Sequence, residues 1–180
     1  MLSKNHRAFS IAFALASTPL MAADNPGSHQ HGQAEMQLAF ADNQVEVLLT
    51  SPAGNMLGFE HHPRTPEQHQ IEELVTHWLG ENPLINTPES TCQIHATTVQ
   101  HEVAGSHDHG GHSHGDESQH ADITVTQILN CTGLDHSVSL TTPLTARFPA
   151  LEHLDIAWAG PDGQGAARLG QGESSFKLGR

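Results

Sequence analysis

Cys92-Gln93-Ile94-His95-Ala96-Thr97-Thr98-Val99-Gln100-His101 and Ala121-Asp122-Ile123-Thr124-Val125-Thr126-Gln127-Ile128-Leu129-Asn130-Cys131 decide the fold between them. In the first, Cys92, Ile94, Ala96 and Thr98 fall on one side of an extended chain and His95, Thr97, Val99 and His101 on the other. In the second, Ile123, Val125, Gln127, Leu129 and Cys131 mirror that pattern. A period of two marks half-buried strands, because successive side chains of a strand point to opposite faces. The pair reads as a hairpin with its tip at 104–121 and its base at the two cysteines.

Working outward, Ala34, Met36 and Leu38 alternate with polar residues over 33–40, and Val45 to Leu49 resumes after Ala41-Asp42-Asn43-Gln44, giving strand, tight turn and strand. Ser51-Pro52-Ala53-Gly54-Asn55 is expected to break the pairing. Thr65-Pro66 starts a helix, the hydroxyl capping free amides and the proline preset for the first helical position. Ile71, Leu74, Val75, Trp78 and Leu79 follow at helical spacing, so one amphipathic helix is predicted from Pro66 to Leu79, stopped by Gly80. Further short strands are read over 136–142, 154–159, 165–169 and 174–178, with a turn at Gly160-Pro161-Asp162-Gly163. The fold class is mainly β (α+β): an antiparallel sheet or sandwich of about seven or eight short strands with one amphipathic helix packed on it and a flexible His-rich hairpin loop.

The chain opens with Lys4 and Arg7, an apolar run from Ala8 to Ala16, then Pro19 and Ala22-Ala23 before the first acid, Asp24. This is the layout of a secretory signal peptide over 1–22, too short to span a bilayer, which takes ~20 apolar residues. The expected mature protein is periplasmic, one metal-binding domain over 23–180 with 104–121 a disordered loop. Its removal of Lys4 and Arg7 leaves five basic residues against twenty acidic ones, so nucleic acid and membrane insertion are not expected. Export also places Cys92 and Cys131, the two cysteines of the chain, in an oxidising compartment where an even pair closes. A thiolate pair on a metal is the competing reading, unsupported by any C-x-x-C spacing.

Sixteen histidines in 180 residues set the composition apart. Five of them, His107, His109, His112, His114 and His120, lie in the hairpin tip with Asp108, Asp116 and Glu117. Neutral imidazole is a favoured ligand of zinc, copper and nickel, and the His-x-His spacing recurs twice in eight residues. A glycine-rich tip must be ordered at ~1–2 kcal/mol per residue, so it suits collection better than tight storage. A second group is better placed for an ordered site: His29 and His31 in Gly27-Ser28-His29-Gln30-His31-Gly32, and Gly58-Phe59-Glu60-His61-His62-Pro63. Residues two apart in extended chain point the same way, so His29 and His31 are able to share an ion. Sequence alone does not say whether the two segments meet. His69, Glu73 and His77 stack along one helical stripe, which is equally the solvated face of the helix. His95, His101, His136 and His153 are expected as hydrogen-bonded strand histidines.

The chain resembles the ZrgA family of zinc-regulated periplasmic zinc-binding proteins. The resemblance rests on His29-Gln30-His31-Gly32, on Ser51-Pro52-Ala53-Gly54-Asn55-Met56-Leu57-Gly58-Phe59-Glu60-His61, on the paired cysteines and on the histidine-rich insertion between them. It implies Zn2+ bound in the periplasm alongside an ABC-type metal-uptake transporter, to which the protein feeds or buffers zinc. His29, His31, Glu60 and His61 fall in the matching motifs, while the loop histidines match in character only. A non-enzymatic role is expected. The alternatives are an exported zinc-dependent hydrolase and a copper- or nickel-binding protein. No His-Glu-x-x-His is present, and Gly111-His112-Ser113-His114-Gly115, formally a nucleophile elbow, lacks the strand and helix that motif needs. A third reading is a structural or adhesion module with incidental surface histidines. Since imidazole binds metal in its neutral form, and free imidazole has a pKa of about 6.5, metal affinity is expected to fall below that pH.

Overall fold

The computed structural model describes residues 30–103, 120–134 and 139–178. The expected signal peptide over 1–22, together with His29, His107, His109, His112, His114 and His136, lies outside the described residues. Eight strands and three helices are described: β1 Gln33–Ala41, β2 Gln44–Pro52, α1 Gly54–Leu57, α2 Pro66–Glu81, β3 Cys92–Val103, β4 Ala121–Cys131, β5 Ser139–Thr141, α3 Leu144–Arg147, β6 His153–Gly160, β7 Gly163–Gly170 and β8 Ser175–Lys177. Six of them form one sheet in the order β3-β4-β2-β1-β6-β7, and β5 pairs with β8.

The alternating residues behave as their period requires. Met36, Leu38, Val45, Val47, Leu49, Ile123, Val125, Leu129 and Ile156 are all buried on one face, while Glu35, Gln37, Glu46 and Leu48 between them are exposed. The β1–β2 turn is made at Asp42, whose φ of 53° is one that aspartate tolerates. Cys92 and Cys131 face each other across β3 and β4 and are joined by a disulfide.

The fold is mainly β, with eight strands and one long helix, as expected, and the large sheet is antiparallel apart from one pairing. That pairing makes the sheet mixed, because β1 runs parallel to β6 on one side and antiparallel to β2 on the other. A short turn forces the hairpin partner to run antiparallel, whereas β6 arrives after a long connection that leaves its direction free. Ser51-Pro52 does not end the pairing, since β2 continues to Pro52 opposite Asp122, and the chain then turns into α1.

The helix α2 also runs past Gly80 to Glu81. Its N-terminus is as predicted, with the Thr65 hydroxyl accepting from the Gln68 amide and Pro66 at the first position. Its C-terminus is set by Asn82, whose backbone N–H and side-chain amide both donate to the Trp78 carbonyl. From the sheet, the fully buried Gln127 donates to the carbonyls of Leu79 and Asn82 and accepts from the Leu84 amide. These bonds answer helix-terminal groups that a glycine stop would have left to solvent.

The buried stripe of α2 is Val75 and Leu79, flanked by half-buried Glu72 and Thr76; Ile71 and Leu74 are 40% and 60% exposed. The apolar positions at 71, 74, 75, 78 and 79 cover an arc wider than one contact line, so periodicity alone could not choose its centre.

The alternation in β3 is broken by a bulge. Ile94 pairs with Leu129 and Ala96 with Ile128, leaving His95 as the extra residue. An inserted residue switches the faces of everything beyond it. Thr97, Val99 and His101, predicted opposite Cys92 and Ile94, therefore share their face, paired with Gln127, Val125 and Ile123. This brings His101 under α2.

Candidate metal centre

The segment carrying His31 and the segment carrying Glu60 meet. Asn55, buried at the second position of α1, accepts from the Gly32 amide at 2.8 Å and donates to the Gln33 carbonyl at 2.8 Å and to the Ser51 hydroxyl at 3.2 Å. A buried side chain with three bonds holds the turn before β1 against the end of β2. Gly32 completes the turn at a φ of +82°, a conformation that L side chains rarely adopt, and its carbonyl accepts from the Glu152 and His153 amides.

At this junction one carboxylate gathers two imidazoles. His31 Nδ1 lies 3.2 Å from Glu60 Oε1, and His120 Nδ1 lies 3.2 Å from Glu60 Oε2. The His120 contact is a hydrogen bond in which the imidazole donates. The His31 contact is close but off the line of one, and Glu60 Oε1 is a buried oxygen without a hydrogen-bond partner among the described residues. Such an oxygen faces a cation more favourably than it faces nothing. Glu60 is held there because Gly54 has no side chain; a Cβ at Gly54 would lie 2.9 Å from Glu60 Oε1.

The three residues differ in exposure. The Glu60 side chain is 16% exposed, His120 45% and His31 75%. His31 and Glu60 line an open cavity of about 420 Å³ together with Gly32, Asn55, Phe59 and Glu152. Glu152 escaped the sequence reading, since nothing in Leu151-Glu152-His153 distinguishes it from an ordinary strand start. Its carboxylate lies over Gly32, where a Cβ would come within 3.2 Å of Oε2.

His61 is placed differently from its neighbour. Its ring stacks on Phe59 with centroids 5.3 Å apart, and its Nδ1 bonds to the His62 carbonyl at 2.8 Å. His120, placed by the sequence in the tip, stands at the start of the folded hairpin, next to Ala121 of β4, which pairs with Val103 of β3. The stripe of His69, Glu73 and His77 is solvent-exposed, His77 reaching Glu81 at 3.3 Å. Among the described residues, no group of three or more His, Cys, Asp or Glu side chains is placed so as to hold a metal ion without moving. What they form is two nitrogens and two carboxylate oxygens facing one another at the surface.

Residues 28–178 match the family described as ZrgA family zinc uptake protein. The chain belongs to the ZrgA family. The match takes in His31, Glu60, His61, both cysteines and His120, and so covers every described residue of the centre. No curated protein matches this ZrgA-family chain. Membership supports a role in zinc uptake, and among the described residues no helix is long and apolar enough to cross a membrane.

Proposed function

We propose that this chain is a periplasmic zinc-binding protein that collects or buffers zinc and hands it to an ABC-type metal-uptake transporter, holding the ion at His31, Glu60 and His120. The observation that carries this reading is the pair of 3.2 Å approaches of two imidazole nitrogens to the two oxygens of Glu60. Zinc takes nitrogen and oxygen ligands at about 2.0–2.1 Å in tetrahedral geometry, which sets neighbouring ligand atoms about 3.3 Å apart. Each of the two imidazole nitrogens stands at that separation from one Glu60 oxygen. An ion between them takes the place of the Nδ1 protons and draws the side chains into a shell, and Glu152 supplies a further carboxylate at the cavity wall.

Exposure decides the kind of binding. His31 and His120 are open to solvent while Glu60 is largely buried, so an ion arrives and leaves on the imidazole side against a fixed anionic floor. That suits exchange with a partner. The tip histidines His107, His109, His112 and His114 act in this reading as collectors, and His29 and His61 as additional ligands close in sequence to the centre. The signal peptide at 1–22 and the acidity of the chain support export. Binding without catalysis is the role that fits an uptake family.

Zinc titration by calorimetry tests the assignment in three variants: deletion of 105–119, the double substitution His31→Ala/His120→Ala, and Glu60→Gln. Tight binding is expected to survive the deletion, to disappear in the double variant and to weaken in Glu60→Gln by at least the roughly 10- to 100-fold that loss of a merely supporting carboxylate costs, since here a ligand itself is replaced. Tight binding that is lost with 105–119 and untouched by Glu60→Gln would overturn it.

A further inference from the structure

His101 is a buried histidine with one ring nitrogen unaccounted for. Its side chain is 7% exposed, its Nδ1 contacts Glu72 Oε1 on α2, and its Nε2 is buried without a hydrogen-bond partner among the described residues. A carboxylate accepts, so Nδ1 keeps its proton and donates it to Glu72, and Nε2 carries the free lone pair of that tautomer. The ring of His62 stands 6.5 Å from the His101 ring, centroid to centroid, at 59°, and His62 is exposed.

We propose that His101 and His62, with Glu72 orienting His101, form a second divalent-metal site, separate from the centre at His31, Glu60 and His120. The arrangement has two imidazole ligands and an orienting carboxylate, which makes an open site whose remaining positions are left to water. Metal-bound histidines hand their other ring N–H to a carboxylate, which fixes the tautomer and raises ligand basicity, and here that carboxylate is already engaged. A purely structural role explains less. The neighbouring inward positions on β3 are Val99 and Val103, which pack in the same apolar cluster as Val75 and Leu79 of α2; an apolar residue at 101 would leave no orphaned nitrogen. The buried imidazole supplies a fixed ligand, and the exposed one supplies the face through which an ion comes and goes.

The two sites lie at the two roots of the β3–β4 connection. His101 stands two residues before the end of β3 and His120 one before the start of β4, and each meets a scaffold carboxylate, Glu72 or Glu60. Glu60 and His62 come from the same short segment.

Long-range ¹H–¹⁵N spectra of the histidine-labelled full protein titrated with zinc alone test the proposal, because they read each ring nitrogen separately. In His31→Ala/His120→Ala protein, the His101 Nε2 resonance is expected to leave the unprotonated position and saturate at the metal-bound one, together with a ring nitrogen of His62. Glu72→Gln is expected to weaken that response about tenfold while circular dichroism stays unchanged. A His101 Nε2 signal that does not move under excess zinc overturns the second site. So does a signal that moves in wild type but not in the double variant, which would make the two one site. Loss of the responses at His31 and His120 in wild type, with His101 still responding, would instead sink the first centre and leave the second standing.

Discussion

Replacing Gly54 by alanine separates the proposed zinc centre from the fold around it. Gly54 opens α1 and its backbone is not in the left-handed region, so alanine costs the chain no strain; exchanging a helical glycine for alanine gains up to about 0.5–1 kcal/mol. The new Cβ would stand 2.9 Å from Glu60 Oε1 and 3.2 Å from its Cγ, against an ordinary contact of 3.4 Å or more. The carboxylate must therefore withdraw by about 0.5 Å, more than the ~0.2 Å tolerance of a metal–ligand distance. A flexible side chain can do this without disturbing the core. The expected outcome is a melting temperature equal to or above wild type with zinc affinity lowered by about tenfold, or ~1.4 kcal/mol. Calorimetry reads it in the binding phase that His31→Ala/His120→Ala removes, so that the tip histidines do not obscure it. If Gly54→Ala binds zinc in that phase as tightly as wild type, Glu60 is not a ligand whose position matters.

Three further outcomes test the framework. Gln127→Leu removes three bonds to buried backbone groups and leaves the Leu84 amide and two carbonyls unanswered; urea unfolding should show a loss of about 3–5 kcal/mol, from ~1–3 kcal/mol for each stranded group, partly relieved by local adjustment. Replacing Cys92 and Cys131 by serine opens a crosslink between residues 39 apart and should cost about 4 kcal/mol on the chain-entropy account, read in the same assay. Glu67, in the first turn of α2, has its carboxyl held below the ordinary 4.5 by a backbone hydrogen bond and by the Thr65 hydroxyl. A lowered folded pKa gives stability that is present above the unfolded value and lost as pH falls through the folded one. Glu67→Gln should therefore flatten the acid limb of the stability–pH curve while changing neutral-pH behaviour little.

The sequence determined by itself what depends on local chemistry. Period-two alternation marked β1, β2, β3 and β4, because burial on one face of a strand writes itself into every second residue. Thr65-Pro66 marked the start of α2, because capping is satisfied within one turn. The motifs around His31 and Glu60 identified the family. Tertiary structure decided everything that needed two distant segments. The bulge at His95 turns His101 toward α2, and a one-residue insertion leaves no trace in composition. The inward stripe of α2 centres near Glu72, Val75 and Leu79 because the sheet beneath chooses one contact line within a broad apolar arc. Glu60 faces His31 and His120 through Asn55, Gly32 and Gly54, across separations of up to 60 residues. Ligand type is a property of a residue, but a ligand set is a property of distances, and those exist only once the chain has folded.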